Sequence, residues 1–490
     1  MPSTTKALQT LPYPIIFIHG LNSHSGNAWN TLTDWMDNQY GTTYGGRLDF
    51  CLNYDANNSQ ANLSYYPTQG ADIALFPYSL QAADYYYLNF DVATDGSTNS
   101  YWYNTGYVYS NQAAIKKQAR ALRSAIFRVL QASNKDKVIL MCHSMGGLAA
   151  REYFQNSNFW QSDGLSHVAK IATLGTPHGG SNASFGLISN LFADIDNQSE
   201  AVRDLRETYT YSGDDGVYLY GGTEANSVMD DMLLLWFYNV DVDCNGTVGL
   251  NITGLNDKPL PSTIDYSCVI GTANILNGGD GIVDDDNANI NTYYPNKTLN
   301  IFEVSSLHLS LTDEFKEIMQ ALDEPNEYNL SYDIDFNTLY NGFTTMQPTG
   351  GYPYDYDDYK VYLPLSGNVT VSISDIDHPN LMVRIIDLNE IQIGNIYNSN
   401  GSSTINFSQT LSAGSYYLEI FATPTTTSYL DTYKFYLNST STTDLGEYII
   451  SSKKILKVTD LLGRETKAIL NAPFIEIYDD GTVEKRIIIE

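Results

Sequence analysis

Over the first two thirds of the chain, short apolar runs alternate with amphipathic stretches. Pro14-Ile15-Ile16-Phe17-Ile18 reads as a buried strand ending in His19-Gly20. Asn111 to Ala132 has Ala, Ile and Leu on one face and Lys and Arg on the other, the pattern of an amphipathic helix. Lys137 to Met141, Ile171 to Leu174, Tyr266 to Ile270 and Leu299 to Val304 are further apolar strands. Met145 to Gln155 and Thr312 to Leu322 carry helical periodicity. Strands alternating with helices predict an α/β unit with a mostly parallel central sheet covered on both faces.

After Asp323-Glu324-Pro325-Asn326 the period changes from helical to alternating. Tyr359 to Leu363, Val369 to Ile373, Leu381 to Ile386 and Tyr416 to Phe421 are separated by turn signals such as Ser366-Gly367-Asn368 and Ala413-Gly414-Ser415. These predict an antiparallel all-β sandwich over about 328–438. A Ser/Thr linker at 439–443 leads to a small module rich in β-branched residues, 445–490.

The 490 residues suit several domains at roughly 150 residues each, and the texture divides them into three. The net charge of −30 arises from 26 Lys+Arg against 56 Asp+Glu, although only 17% of residues are charged. Such a chain lacks the basic face that binds nucleic acid or anionic lipid. No run approaches the roughly 18 apolar residues of a membrane span. Residues 1–12 lack the basic and apolar regions of a signal peptide, so the protein is either cytosolic or exported with its leader removed. Four cysteines, Cys51, Cys142, Cys244 and Cys268, fix no pairing; Cys244 with Cys268 is conceivable.

The chemistry centres on Cys142-His143-Ser144-Met145-Gly146-Gly147, which follows a buried strand and opens a helix. That is the setting of a nucleophile elbow, with Cys142 where the first glycine usually stands. A nucleophilic serine needs a base, and the order nucleophile, acid, histidine selects among the seven histidines. His19, His24 and His143 come too early; His167 and His178 flank the next strand; His378 lies in the sandwich. His308 remains, in a loop before the last helix of the α/β unit. Asp280, between glycines after the Tyr266 strand, is the expected acid; Asp284, Asp285 and Asp286 are its rivals. An oxyanion hole would use the backbone N–H groups of Met145 and Leu21, with Gly20 permitting the turn and His19 orienting the loop.

Ile16-Phe17-Ile18-His19-Gly20-Leu21, the Ser144 elbow, Leu174-Gly175-Thr176-Pro177-His178-Gly179-Gly180 and Asp280-Gly281-Ile282-Val283 together resemble bacterial lipases and esterases of the α/β-hydrolase fold. The resemblance covers residues 11–322. It implies a carboxylester hydrolase with a Ser144-His308-Asp280 triad and an acyl-enzyme, acting on a lipid, a small ester or a polyester. A serine peptidase or amidase, or an adhesion protein with an inert hydrolase unit, are the alternatives. An insertion over about 181–257 holds Met232 to Tyr238, which suits a lid, an acyl-pocket wall or a packed helix. Within it Asp241, Asp243 and Asn245 have the spacing of a calcium loop, but Ile252 stands where an EF-hand has Glu. Structural calcium is thus an expectation, and no cofactor is required.

Asp358 to Leu363, with Leu411-Ser412-Ala413-Gly414-Ser415-Tyr416-Tyr417-Leu418, resembles the bacterial pre-peptidase C-terminal (PPC-like) sandwich. Lys454 to Glu465 and Tyr478 to Ile489 resemble the sorting domain of type IX secretion. These likenesses imply a secreted or cell-surface protein handled by the type IX machinery; a monomer is the expected state.

Overall fold

A computed structural model describes residues 11–52, 74–93, 96–98, 110–181, 195, 201, 204–205, 208–211, 214–217, 222–223, 251–252, 254–274, 279–297, 299–345, 355–422, 430–441, 455–459, 473–478 and 483–487. The first sheet comprises β1 (Ile15–Ile18), β2 (Tyr44–Cys51), β3 (Ala74–Leu75), β4 (Tyr85–Asn89), β5 (Val138–His143) and β6 (Val168–Leu174). Short strands β7 (Thr208–Tyr211), β8 (Asp214–Val217), β9 (Gly222–Thr223) and β10 (Asn251–Ile252) follow outside it, and β11 (Asp265–Gly271) and β12 (Asn300–Val304) complete it. The order β12-β11-β6-β5-β1-β4-β2-β3 is parallel throughout, except that β3 runs antiparallel to β2. This is the mostly parallel sheet of an α/β hydrolase.

Period-two alternation assigns the two faces. Ile16, Ile18, Leu140 and Cys142 pack with Leu122, Ile126 and Tyr153 of helices α2 (Ile115–Ser133) and α3 (Gly146–Gln155). Ile15, Phe17, Ile139 and Met141 face the opposite layer, with Trp29 and Leu32 of α1 (Ser25–Tyr40). A short helix α4 (Asp285–Ala288) follows the β11 loop, and α5 (Phe315–Leu322) ends the unit. The helix expected over Thr312 to Leu322 is therefore a 3₁₀ segment, His308–Asp313, followed by an α-helix from Phe315.

The sequence pattern left α1, β2 and β4 unread. In α1 only Ser25, Trp29, Leu32, Thr33 and Met36 form the buried stripe; Ala28, Trp35 and Tyr40 are partly buried beside it, and most other positions are polar. In β4 the buried run is Tyr85-Tyr86-Tyr87, whose hydroxyls each find a partner: Asp37, the Gln81 carbonyl and Thr33.

Beyond α5 come β13 (Tyr332–Ile334), β14 (Leu339–Thr345), β15 (Asp355–Leu363), β16 (Gly367–Ser374), β17 (Met382–Asp387), β18 (Gln392–Asn398), β19 (Ile405–Leu411), β20 (Gly414–Ala422) and β21 (Leu430–Ser441). They make a five-stranded sheet, β13-β15-β20-β17-β18, and a four-stranded sheet, β14-β21-β16-β19. In β16 burial alternates strictly, the mark of one face on a core. Last, β22 (Ile455–Thr459), β23 (Pro473–Tyr478) and β24 (Val483–Ile487) form an antiparallel sheet of their own.

The sandwich shares one apolar cluster with the α1/α5 layer of the hydrolase unit. Tyr13 packs edge-on against Tyr332 at 5.1 Å, Tyr40 against Phe343 at 5.0 Å, and the Asp333 N–H donates to the Tyr13 hydroxyl at 2.9 Å. Deeper in, Lys170 of β6 is almost fully buried; its ammonium pairs with Asp265 of β11 and donates to the Asp323 carbonyl at 2.8 Å. Removing one partner of such a pair leaves a buried charge uncompensated. Lys170→Ala should therefore lower stability by about 3–5 kcal/mol in urea unfolding. The Lys170→Met, Asp265→Leu double variant should recover most of that loss.

Candidate active site

Every element of the site sits at the carboxyl ends of the parallel strands. β5 ends at His143, and Ser144 follows with φ 55° before α3 begins. A left-handed conformation is costly for a non-glycine residue and persists where its surroundings over-determine it. Here the Ser144 N–H donates to the Leu174 carbonyl at 2.8 Å, and the Thr176 hydroxyl donates to the Ser144 carbonyl at 2.8 Å. Cys142 is fully buried among the α2/α3 apolar residues, so a side chain larger than hydrogen is accommodated at that position.

Ser144 Oγ lies 2.9 Å from His308 Nε2, and His308 Nδ1 lies 2.6 Å from Asp280 Oδ2. The carboxylate can only accept, so Nδ1 carries the proton and Nε2 faces the serine as an acceptor. The other Asp280 oxygen accepts the N–H groups of Ile282 at 2.9 Å and Val283 at 2.8 Å. The His308 N–H donates to the Asp280 carbonyl at 3.0 Å, tying the two loops together. Asp284, Asp285 and Asp286 are exposed, and Asp280 is the carboxylate brought onto His308. Gly175, φ 53°, lies beneath this pair, where a Cβ would stand 2.7 Å from Asp280 Oδ2. The sequence reading passed over that requirement, because nothing local to Gly175 announces what packs on it.

On the other side of Ser144 lies the loop after β1. A Cβ at Gly20 would come within 2.6 Å of Ser144 Cβ, so only glycine lets this backbone approach Ser144 so closely. His19 is buried; its Nδ1 donates to the Gly20 carbonyl at 2.8 Å, and its Nε2 accepts the Phe90 N–H at 2.9 Å. Among the described residues, neither the Leu21 N–H nor the Met145 N–H has a hydrogen-bond acceptor.

Two further histidines outside the Ser144–His308–Asp280 array are held by the fold. His178 is fully buried; Arg151 Nη1 donates to its Nδ1 at 3.3 Å, and Thr173 Oγ1 lies 3.3 Å from its Nε2. Arg151, also fully buried on α3, donates further to Gln155, Asn256 and the Tyr294 hydroxyl, so it holds the elbow helix to the 254–258 turn. Cys268, whose sulfur is 3.7 Å from His178 Nε2, is a free thiol. His143 donates from Nε2 to the His308 carbonyl at 3.0 Å.

Asp241, Asp243 and Asn245 lie outside the described residues, as do Met232 to Tyr238 and Cys244. Among the described residues, Asp323, Glu324 and Asp357 offer carboxylate oxygens within 4.8 Å of one another. They sit at the start of the sandwich, away from Ser144. Such an oxygen-only donor set is of the type that hard cations take. Hydroxyls of Thr345, Tyr359 and Tyr433 serve Asp323, Glu324 and Asp357 respectively. Burial is the main cause that pushes the Glu324 carboxyl up to about 8.

The fold is that of an α/β hydrolase. Residues 11–235 match the family described as the PGAP1-like alpha/beta domain. No curated protein matches the chain. Among solved structures, the chain is similar to a gene product of Listeria innocua, with 14% identity, a TM-score of 0.34, and coverage of 63% of this chain and 91% of that one. It is also similar to an extracellular α/β-hydrolase from a Paenibacillus species, with 11% identity, a TM-score of 0.27, and coverage of 64% and 97%. A third similarity is to the pre-peptidase C-terminal domain of a Bacillus anthracis collagenase, with 18% identity, a TM-score of 0.19, and coverage of 24% and 99%. No helix among the described residues is long and apolar enough to cross a membrane.

Burial pushes His19 down to about 4 and His143 down to about 3, and holds His178 well below its ordinary value. Below about pH 6.5 the unfolded chain protonates these rings while the folded chain does not, so stability falls as pH drops through 6.5 toward 4. Each ring contributes about 1.4 kcal/mol per pH unit in that window. Urea midpoints measured between pH 7.5 and 5 should fall accordingly, and His19→Gln should reduce the slope by about one proton.

Proposed function

We propose that the chain is a serine hydrolase of carboxylic esters that works through Ser144, His308 and Asp280. The observation that carries this reading is the unbroken relay from Ser144 Oγ through both His308 nitrogens to Asp280, with Ser144 held in the left-handed conformation of an elbow. His308 Nε2 takes the Ser144 proton as Oγ attacks the ester carbonyl. The oxyanion that forms lies between the Leu21 and Met145 N–H groups, whose lack of other acceptors supports that role. His19, bonded at both nitrogens, keeps the Gly20–Leu21 backbone in place. His308 then gives its proton to the leaving alcohol, and water repeats the sequence on the acyl-enzyme. Asp280 keeps the Nδ1–H tautomer throughout and steadies the imidazolium.

The ester class rests on the likeness of the His19-Gly20-Leu21, Ser144 and Gly175-to-Gly180 segments to lipases and esterases. Export by the type IX machinery, as part of the same reading, rests on the C-terminal likeness. The stretch 460–465 that contributes to it lies outside the described residues.

Ser144→Ala should abolish both p-nitrophenyl ester turnover and fluorophosphonate labelling while the folded state persists. Labelling retained in that variant would defeat the assignment. Asp280→Asn should lower kcat by about 10⁴-fold, because the wrong imidazole tautomer then faces Ser144. Turnover of p-nitrophenyl esters should exceed that of matched peptide anilides, and the opposite ranking would make the enzyme an amidase.

A further inference from the structure

We propose that His143 is a positioning residue for His308, kept beside the nucleophile to hold the general base rather than to hold the fold. The proposal rests on the reading of His308 as that base. His143 is buried at the end of β5, and its ring lies against the His308 ring at 4.9 Å between centroids and 45° between planes. Its Nε2 is 3.0 Å from the His308 carbonyl oxygen, which can only accept, so the proton sits on Nε2. One side chain thus fixes both the backbone of His308 and the face of its imidazole. Trp29 also meets the His143 ring, edge-on at 6.4 Å and 90°.

The remaining nitrogen is what separates positioning from packing. His143 Nδ1 is buried and has no hydrogen-bond partner among the described residues. Two polar atoms of α1, Ser25 Oγ and Trp29 Nε1, are buried and unpartnered in the same way. An unpaired buried nitrogen costs stability, and an apolar ring of similar size would avoid that cost. A residue selected for the fold alone would therefore be Phe or Leu. What those residues lack is a donor that reaches the His308 carbonyl. Burial together with the neighbouring His308 keeps His143 neutral, so no second positive charge opposes the imidazolium that forms on His308 during turnover.

The test uses His143→Phe and His143→Gln in the full chain, with kcat, KM and thermal midpoint measured for each, and wild type and Ser144→Ala labelled with a fluorophosphonate alongside. His143→Phe should lose about 10- to 100-fold in kcat, the scale of a small misplacement of a reacting group. Its KM should stay within about twofold, and its midpoint should match or exceed that of wild type. His143→Gln, whose amide N–H can reach the same carbonyl, should regain most of kcat. Undiminished kcat in His143→Phe, with wild type labelled at Ser144, would overturn the proposal and leave the serine-hydrolase reading intact. A His143→Phe chain that fails to fold would also overturn it, because the proposal requires the apolar ring to pack at least as well. Absence of labelling in wild type would instead remove the serine-hydrolase reading and the proposal with it.

Discussion

The left-handed turn at Ser144 is the constraint on which the site depends. A serine at φ 55° is unfavourable by itself, and neighbouring strands hold it there. β6 accepts its N–H through Leu174, and the loop after β6 returns a hydroxyl from Thr176 to its carbonyl. Because β5 lies between β1 and β6 in a parallel sheet, the turn projects Oγ where the loops after β1, β6, β11 and β12 converge. The same convergence leaves little free space. Gly20 crosses against Ser144 on one side, and Gly175 lies under the Asp280–His308 pair on the other.

Around that turn the protein buries imidazoles in their neutral form. His19 is bonded at both nitrogens, His178 is held by Arg151 and Thr173, and His143 is bonded at one. Keeping these rings uncharged lets them fix backbone without adding positive charge near His308. Arg151 is a fully buried cation of this layer, and neutral acceptors take its donors. Its fully buried guanidinium ties the elbow helix to the 254–258 turn, so the order of that turn is coupled to the order of the helix that carries the elbow.

The sandwich is more than an appendage to this arrangement. Its first strands share a core with α1 and α5, and Lys170 reaches from the central sheet to the carbonyl of Asp323, just before the sandwich. α1 begins directly after the loop that carries Leu21, so packing on the far side of α1 also bears on that loop.

The chain by itself determined the alternation of strands and helices and marked the turn around Ser144, with His308 and a short run of aspartates as its candidate partners, because period and motif are local properties. Helix α1 and strand β4 escaped that reading. A narrow apolar stripe among polar residues, and a run of tyrosines, show their buried faces only once a sheet exists to cover them. The sequence left Asp284, Asp285 and Asp286 as rivals to Asp280, and loop geometry alone turned Asp280 inward. Nor could it assign His143 or His178, each adjacent to a motif yet excluded as the base by chain order. Their partners lie 165 and 27 residues away, and contacts over such separations exist only in the folded sheet.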